Sequence, residues 1–329
     1  FTTAGGVSAN RIARWDGNSW SALSSGMNDV VYAVAVNGSD VYAGGTFDRA
    51  GGVSVNHIAK WNGATWSALG SGLNSGRWMT LAVSGSDLYA GGEFTTAGGV
   101  TANRIARWNG RTWSPLGSGM DSAVRSLAVM GTDVYAGGYM TTAGGVPVNG
   151  IAKWNGSTWS ALGPGLSDHS WVFGLAVSSG AIYAAGMLSL DGPIIPMAVA
   201  RWDGSSWSPL GSGLIGFRYD DNIWALAADA HGHVFVGGRF VGAGTTVSPY
   251  IMQANVAGLA FTWEAMSSPQ QAGVPFPVSL AARNAAGNIL TSFTDPVALS
   301  AQAPGLIAAN LALGAGAKSW GYPLHTRYH

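Results

Sequence analysis

The sequence predicts an all-β protein built as a β-propeller of four-stranded blades. Three observations carry this. The phrase IARWDGNSWSAL (Ile12–Leu23) returns four times, with its first tryptophan at Trp15, Trp61, Trp108, Trp154 and Trp202, in steps of 46, 47, 46 and 48 residues. A second landmark, VYAGG at Val41, returns as LYAGG at Leu88 and VYAGG at Val134, and weakens to IYAAG at Ile182 and VFVGG at Val234. Nothing in the unit has helical periodicity, and a period of this length is that of a propeller blade.

One unit, residues 28–73, justifies each strand in turn. VYAVAV (Val31–Val36) alternates and is β-branched, so it reads as strand a. NGSD (Asn37–Asp40) is a tight turn, and VYAGGTF (Val41–Phe47) is strand b. DRAGGVSVN is a longer loop. HIAKW (His57–Trp61) is strand c, Asn62-Gly63 opens a hairpin turn, and TWSAL (Thr65–Leu69) is strand d. Asn-Gly or Asp-Gly between apolar runs is the strongest short-range hairpin signal, because both residues tolerate positive φ. The glycine pair of strand b suits strands crowded near an axis, where a missing side chain lets backbones approach.

The landmarks place the propeller over residues 1–266. Residues 1–27 supply the end of strand b, then c and d. Fuller units follow at 28–73, 74–120, 121–166, 167–214 and about 215–266. Six c–d pairs against five a–b pairs favour six blades, the first beginning upstream of Phe1 in a longer polypeptide. The alternatives are five blades, with residues 1–27 completing the last a–b pair and 250–266 a linker, or seven. After Ser267 the composition changes. SSPQQAGVPFPVSLAARNAAGNILTSFTDPVALSA (Ser267–Ala301) reads as the start of an immunoglobulin-like sandwich. Such a domain needs roughly 100 residues, so the segment 267–329, with its Ala/Gly-rich stretch at 302–319, is a small or incomplete one.

Composition bounds the function. Charged residues are 10% of the chain and the net charge is zero, so no strong field attracts nucleic acid or an anionic membrane. No apolar run is long enough for a transmembrane helix, and no membrane insertion is expected. Cysteine is absent, which excludes disulfides, thiolate metal sites and Cys nucleophiles. No EF-hand loop, GxSxG, HExxH or phosphate loop occurs. No cofactor and no metal site are expected.

The unit GGEFTTAGGVTANRIARWNGRTWSPLGSGM (Gly91–Met120) resembles the blades of bacterial secreted kelch-like propellers. These are similar to the propeller of fungal cortical polarity markers and, more distantly, to the central domain of galactose oxidase. The resemblance covers about 1–266 and implies the fold and an extracellular or bacterial cell-surface setting. It says little of activity, since propellers host enzymes, lectins and binding platforms alike. Galactose oxidase chemistry needs a copper site with a Tyr–Cys cofactor, which a chain without Cys lacks. The Asp-box of sialidase propellers is also not matched, because Asp16-Gly17 are adjacent and Trp20 follows closely.

Strand parity separates scaffold from site. If strand a runs from top to bottom, the b–c and d–a loops share the top face, and the a–b and c–d turns share the bottom. The Trp-bearing c–d hairpin then lies at the bottom and outer edge, where its tryptophans pack between blades; the alternative is a ring of peripheral sugar sites. The AGGVSAN-type loops (Ala4–Asn10, Ala50–Asn56, Ala97–Asn103, Ala143–Asn149) read as structural turns of the top face, with a polar rim as the alternative. The d–a segments MNDVVY, LNSGRWMT, MDSAVRS, LSDHSWVFG and LIGFRYDDNIW differ most. They bring Arg77, Trp78, Arg125, His169, Trp171, Arg218, Tyr219, Asp220 and Asp221 to one axial mouth. Aromatic faces, Arg forks and carboxylates suit a concave ligand site; the plainer reading is exposed loops whose charges pair with one another. Asp220-Asp221 are a poor acid/base pair in extended chain. His231-Gly232-His233 reads as a solvated bottom turn.

The expected function is a non-catalytic module that binds a glycan or a protein through its top face. A polysaccharide lyase or hydrolase using His169, Tyr219 and Asp220 or Asp221 is the second reading, and a structural spacer the third.

Overall fold

The computed structural model describes residues 1–163, 166, 170–190, 195–210, 214–215, 223–229, 233–240, 242–243, 246–247, 251–255, 262–265, 276–277 and 321–322. Five antiparallel four-stranded sheets follow one another as blades I to V, each ordered a-b-c-d. Blade I has strands Val31–Asn37, Asp40–Gly45, Ile58–Trp61 and Trp66–Ala68. In blade II they are Thr80–Ser84, Asp87–Gly91, Ile105–Trp108 and Trp113–Pro115. Those of blade III are Val124–Met130, Asp133–Gly138, Ile151–Trp154 and Trp159–Ser160. Blade IV is Trp171–Ser178, Ala181–Leu188, Ile195–Trp202 and Trp207–Pro209. Blade V is Ile223–Ala228, His233–Gly238, Ile251–Asn255 and Thr262–Ala265. Strands a of successive blades touch and form the inner layer.

Among the described residues the count of four-stranded blades is therefore five rather than six. The pairing also differs from the one assumed for a five-blade chain. Strand b of blade V takes Ile251–Asn255 as its strand c, and that strand pairs with Thr262–Ala265. Residues 250–266 are thus not a linker. The hairpin Ala13–Trp15/Trp20–Ala22 forms a two-stranded sheet of its own. Beyond the blades, Phe276–Pro277 pairs with Gly321–Tyr322; the expected immunoglobulin-like segment otherwise lies outside the described residues.

The c–d hairpin is built by one device. Asp16, Asn62, Asn109, Asn155 and Asp203 each accept the backbone N–H groups two and three residues on, at 2.8–3.0 Å. The following glycine takes positive φ, 98° at Gly63, which a Cβ would strain. This brings the two tryptophans of each hairpin within 5.3–5.5 Å of one another at tilted angles. The strand-d tryptophan then reaches across the blade boundary. Trp66, Trp113 and Trp159 donate their indole N–H to the carbonyls of Leu23, Leu69 and Leu116 in the preceding unit, at 2.8–2.9 Å. All three are buried. These tryptophans are scaffold, as parity suggests, and present no free face for a sugar.

In blades I to III the Arg or Lys beside the first tryptophan is also structural. Lys60 pairs with Asp40 at 2.6 Å, Arg107 with Asp87 at 2.8 Å and Lys153 with Asp133 at 2.6 Å. Each joins strand c to the start of strand b. Such partly exposed pairs are worth about 1 kcal/mol or less.

The b–c loops are more ordered than loops need be. Their AGG turns close two-residue hairpins such as Arg49–Ala50 with Val53–Ser54. Gly51, Gly98 and Gly144 donate to Gly26, Gly72 and Gly119 of the preceding d–a segment, at 2.7–2.8 Å. Asn10, Asn56 and Asn103 donate side-chain N–H to Ser25, Ser71 and Ser118 within their own units. The b–c and d–a loops therefore share a face, and the AGG loops are bracing. The sheets bury one apolar cluster at each boundary between successive units, for example Leu69, Leu73 and Ile58 of blade I with Met79, Phe94 and Trp113 of blade II.

Two predictions follow from the hairpin. Trp207 Nε1 is buried without an acceptor among the described residues, whereas Trp113 Nε1 is bonded. Trp113→Phe should cost at least about 1 kcal/mol more than Trp207→Phe in urea unfolding; equal losses would contradict the inter-blade bond. The backbone N–H groups of Ser19 and Asn18 hold the Asp16 carboxyl below its ordinary value, and those of Ser206 and Ser205 do so for Asp203. A depressed folded pKa gives stability that is present above the unfolded pKa of about 4 and lost as pH falls toward the folded one. Asp16→Asn/Asp203→Asn should flatten the fall of stability below about pH 4. Acid denaturation followed by circular dichroism measures it, and an unchanged slope counts against the turn.

Candidate functional site

The top face of the inner strands departs from the repeat. Strand a bulges against strand b in blades I, III, IV and V. The ladder passes from Val31 to Ala33, Val124 to Ser126, Val172 to Gly174 and Ile223 to Ala225. Tyr32, Arg125, Phe173 and Trp224 are left as the extra residues. A bulge bends its strand and re-aims a side chain. The second glycine of strand b permits it: a Cβ on Gly45 would lie 1.9 Å from the Val30 carbonyl oxygen, and one on Gly138 2.1 Å from that of Ala123. Blade II lacks the bulge. Its d–a segment is longer than those before blades I and III, and Trp78 instead takes a left-handed conformation with φ 56° just before strand a.

These positions bring six side chains together. The Arg125 guanidinium carbon lies 3.7 Å from the Trp78 ring centroid, 5.7 Å from Tyr139 and 6.0 Å from Phe173. Tyr139 meets Trp171 edge-on at 5.2 Å and Phe173 at 5.8 Å. Tyr32 lies 6.2 Å from Trp78. Trp171 is the most open, at 40% exposure; Arg125, Trp78, Tyr139, Phe173 and Tyr32 are half-buried. Burial pushes the Arg125 pKa down, while the negative potential of Tyr139, Glu93 and Tyr32 opposes the shift. An arginine remains a cation throughout.

Of the residues expected at the mouth, Trp78, Arg125 and Trp171 share this cluster. Arg77 is directed to Glu93, at 3.8 Å, in an exposed ion pair, which agrees with the plainer reading for that one residue. His169, Arg218, Tyr219, Asp220 and Asp221 lie outside the described residues. Tyr32, Glu93, Tyr139, Phe173 and Trp224 were not anticipated. A signal for two of them stands in the sequence. The residue after the strand-b glycine pair is Thr46, Glu93, Tyr139 or Arg239, and Met187 follows the Ala-Gly of blade IV, within an otherwise constant frame.

The bottom face carries repeat-to-repeat bonds. Asn37 donates to the Gly85 carbonyl at 2.7 Å and Ser84 to that of Gly131 at 3.3 Å. His233 corrects the expectation of a solvated turn. It begins strand b of blade V, is buried, and its Nδ1 lies 2.5 Å from Asp229 Oδ2, while its backbone N–H donates to Asp229 Oδ1. Asp229 precedes the turn and folds back over the chain, which draws the imidazole inward. His231 and Gly232 lie outside the described residues. Among the described residues no three His, Asp or Glu side chains group as metal ligands.

No family model matches the chain, and no curated protein matches it. The solved structures include a similar one, the computationally designed Ika8 protein, at 15% identity and a TM-score of 0.38, covering 71% of this chain and 83% of that one.

The contact at 3.7 Å has an energetic consequence. A double-mutant cycle of Trp78→Leu and Arg125→Met, read by urea unfolding, should give a coupling of about 1 kcal/mol. A coupling of zero would mean that the ring and the guanidinium do not interact.

Proposed function

We propose that this chain is a binding module, not an enzyme, and that it takes a glycan at the top-face mouth. The observation that carries the reading is the cluster of Trp78, Arg125, Tyr139, Phe173 and Trp171. It is assembled at positions where an otherwise regular scaffold departs from its repeat. Aromatic faces cover the C–H faces of sugars, and a guanidinium supplies donors in a fixed fork. The repeated residues Trp66, Trp113, Trp159, Lys60, Arg107, Lys153, Asn10, Asn56 and Asn103 are engaged in the scaffold, which supports recognition by the divergent positions.

The setting proposed is an extracellular or bacterial cell-surface protein of the kelch-like kind, with this propeller as one part of a longer polypeptide. The segment 267–329 would act as a spacer. Neither nucleic acid nor membrane insertion belongs to this reading. Among the described residues no helix is long and apolar enough to cross a membrane.

A glycan array tests the site. Trp78→Ala and Trp171→Ala should each weaken binding to the captured glycan by about tenfold, which is about 1.4 kcal/mol. Binding unaffected by both changes removes the mouth as the site. A protein ligand sensitive to the same two changes would keep the site and replace the glycan.

A further inference from the structure

We infer that the ligand of the mouth carries a carboxylate, and that Arg125 receives it: the site is built for an acidic sugar. The inference rests on the mouth being a binding site, and it names the class of ligand.

Arg125 is held in an unusual way. Its guanidinium lies over the Trp78 ring at 3.7 Å, with Tyr139 and Phe173 on its flanks. Stacking uses the flat face of the group and none of its five N–H donors. By contrast, the strand-c cations Lys60, Arg107 and Lys153 are each paired with the aspartate opposite them. Among the described residues Arg125 has neither a carboxylate within 4 Å nor a hydrogen-bond acceptor. Glu93 acts on it through its field but has its contact with Arg77. The result is a half-buried cation whose fork is unspent among the described residues.

Burying a charge without a partner is unfavourable. The aromatic faces offset part of that cost, and a planar carboxylate that takes two parallel N–H bonds offsets the rest. A neutral hydroxyl accepts one such bond and supplies no charge. The bulge matters here, because it turns Arg125 out of the ladder between Val124 and Ser126 and toward the rings. Trp171, the most exposed ring of the group, stands edge-on to Tyr139 at 5.2 Å. It leaves a flat face for the C–H side of a sugar whose carboxylate lies on Arg125. A uronate or another carboxylated sugar has both features on one residue.

The test is calorimetric titration of the full chain with five probes: a galacturonate oligosaccharide, its methyl ester, a sialylated oligosaccharide, a neutral oligosaccharide and an acidic peptide. At least one acid should bind. If the galacturonate binds, it should exceed its ester by tenfold or more, and added salt should weaken it. Binding of the sialylated probe alone would place the source of the carboxylate elsewhere while keeping the inference. Arg125→Gln should remove the advantage of the acid, and Arg125→Lys should keep part of it, with both variants first checked for an unchanged unfolding midpoint. If Arg125→Gln does not fold, the comparison of acid with ester and the Arg125→Lys variant still decide. An ester that binds as tightly as the acid overturns the inference, as does an acid preference that survives Arg125→Gln. Binding of neutral glycans alone, lost in Trp78→Ala, overturns the carboxylate and leaves the site standing. Binding of an acidic peptide with none of the sugars overturns it too, and no binding by any probe ends both readings.

Discussion

The indole N–H of the strand-d tryptophan, bonded to a leucine carbonyl of the preceding unit, is the interaction on which the rest of the fold depends. It fixes two things at once. The donor must stand at the outer edge of one blade, which the Asx-closed c–d hairpin secures. The acceptor must stand at the end of strand d in the blade before, where the same carbonyl also accepts from the glycine three residues on. Each tryptophan also lies against a glycine of its own b–c loop; a Cβ on Gly51 would sit 2.7 Å from the Trp66 ring. Leu, Gly, Asn and Trp therefore recur together because they serve a single joint.

That joint makes the propeller a nearest-neighbour structure, as in other repeat proteins. The apolar clusters pair the initial hairpin with blade I, and then I with II, II with III, III with IV and IV with V. Because the outer and middle strands hold the blades, the upper ends of strands a are free to depart from regular pairing. The glycine that ends strand b gives the space for it. Scaffold and site thus share a landmark: the glycine pair of VYAGG packs blades at its first position and opens the bulge at its second.

Much of the fold was legible because its signals repeat. Five Asn-Gly or Asp-Gly turns at one spacing define hairpins, and the strand order follows from parity. The blade count was less legible, since a c–d hairpin looks the same in sequence whether or not strands a and b stand beside it. The AGG turns read as loops because two-residue strands have no periodicity to detect. At the site, Trp78, Arg125 and Trp171 stood out as breaks in a constant frame. Tyr32 did not, because in VYAVAV it looks like one more residue of an alternating strand, and a bulge leaves no mark on alternation until the partner's register is known. His233 is hard to read for a related reason: a histidine beside a glycine looks solvated, and only the bonds of its ring and backbone N–H to Asp229 show it held inward.

The account claims that repeated positions build the propeller and divergent ones meet the ligand. Residue-resolved nuclear magnetic resonance of the indole and guanidinium N–H signals tests this most directly, during titration with a galacturonate oligosaccharide and a sialylated one. The account predicts that the Arg125, Trp78 and Trp171 signals move with whichever acid binds, while those of Trp66, Trp113 and Trp159 stay fixed. Movement of the three repeated indoles, with Arg125 and Trp171 unchanged, would contradict it.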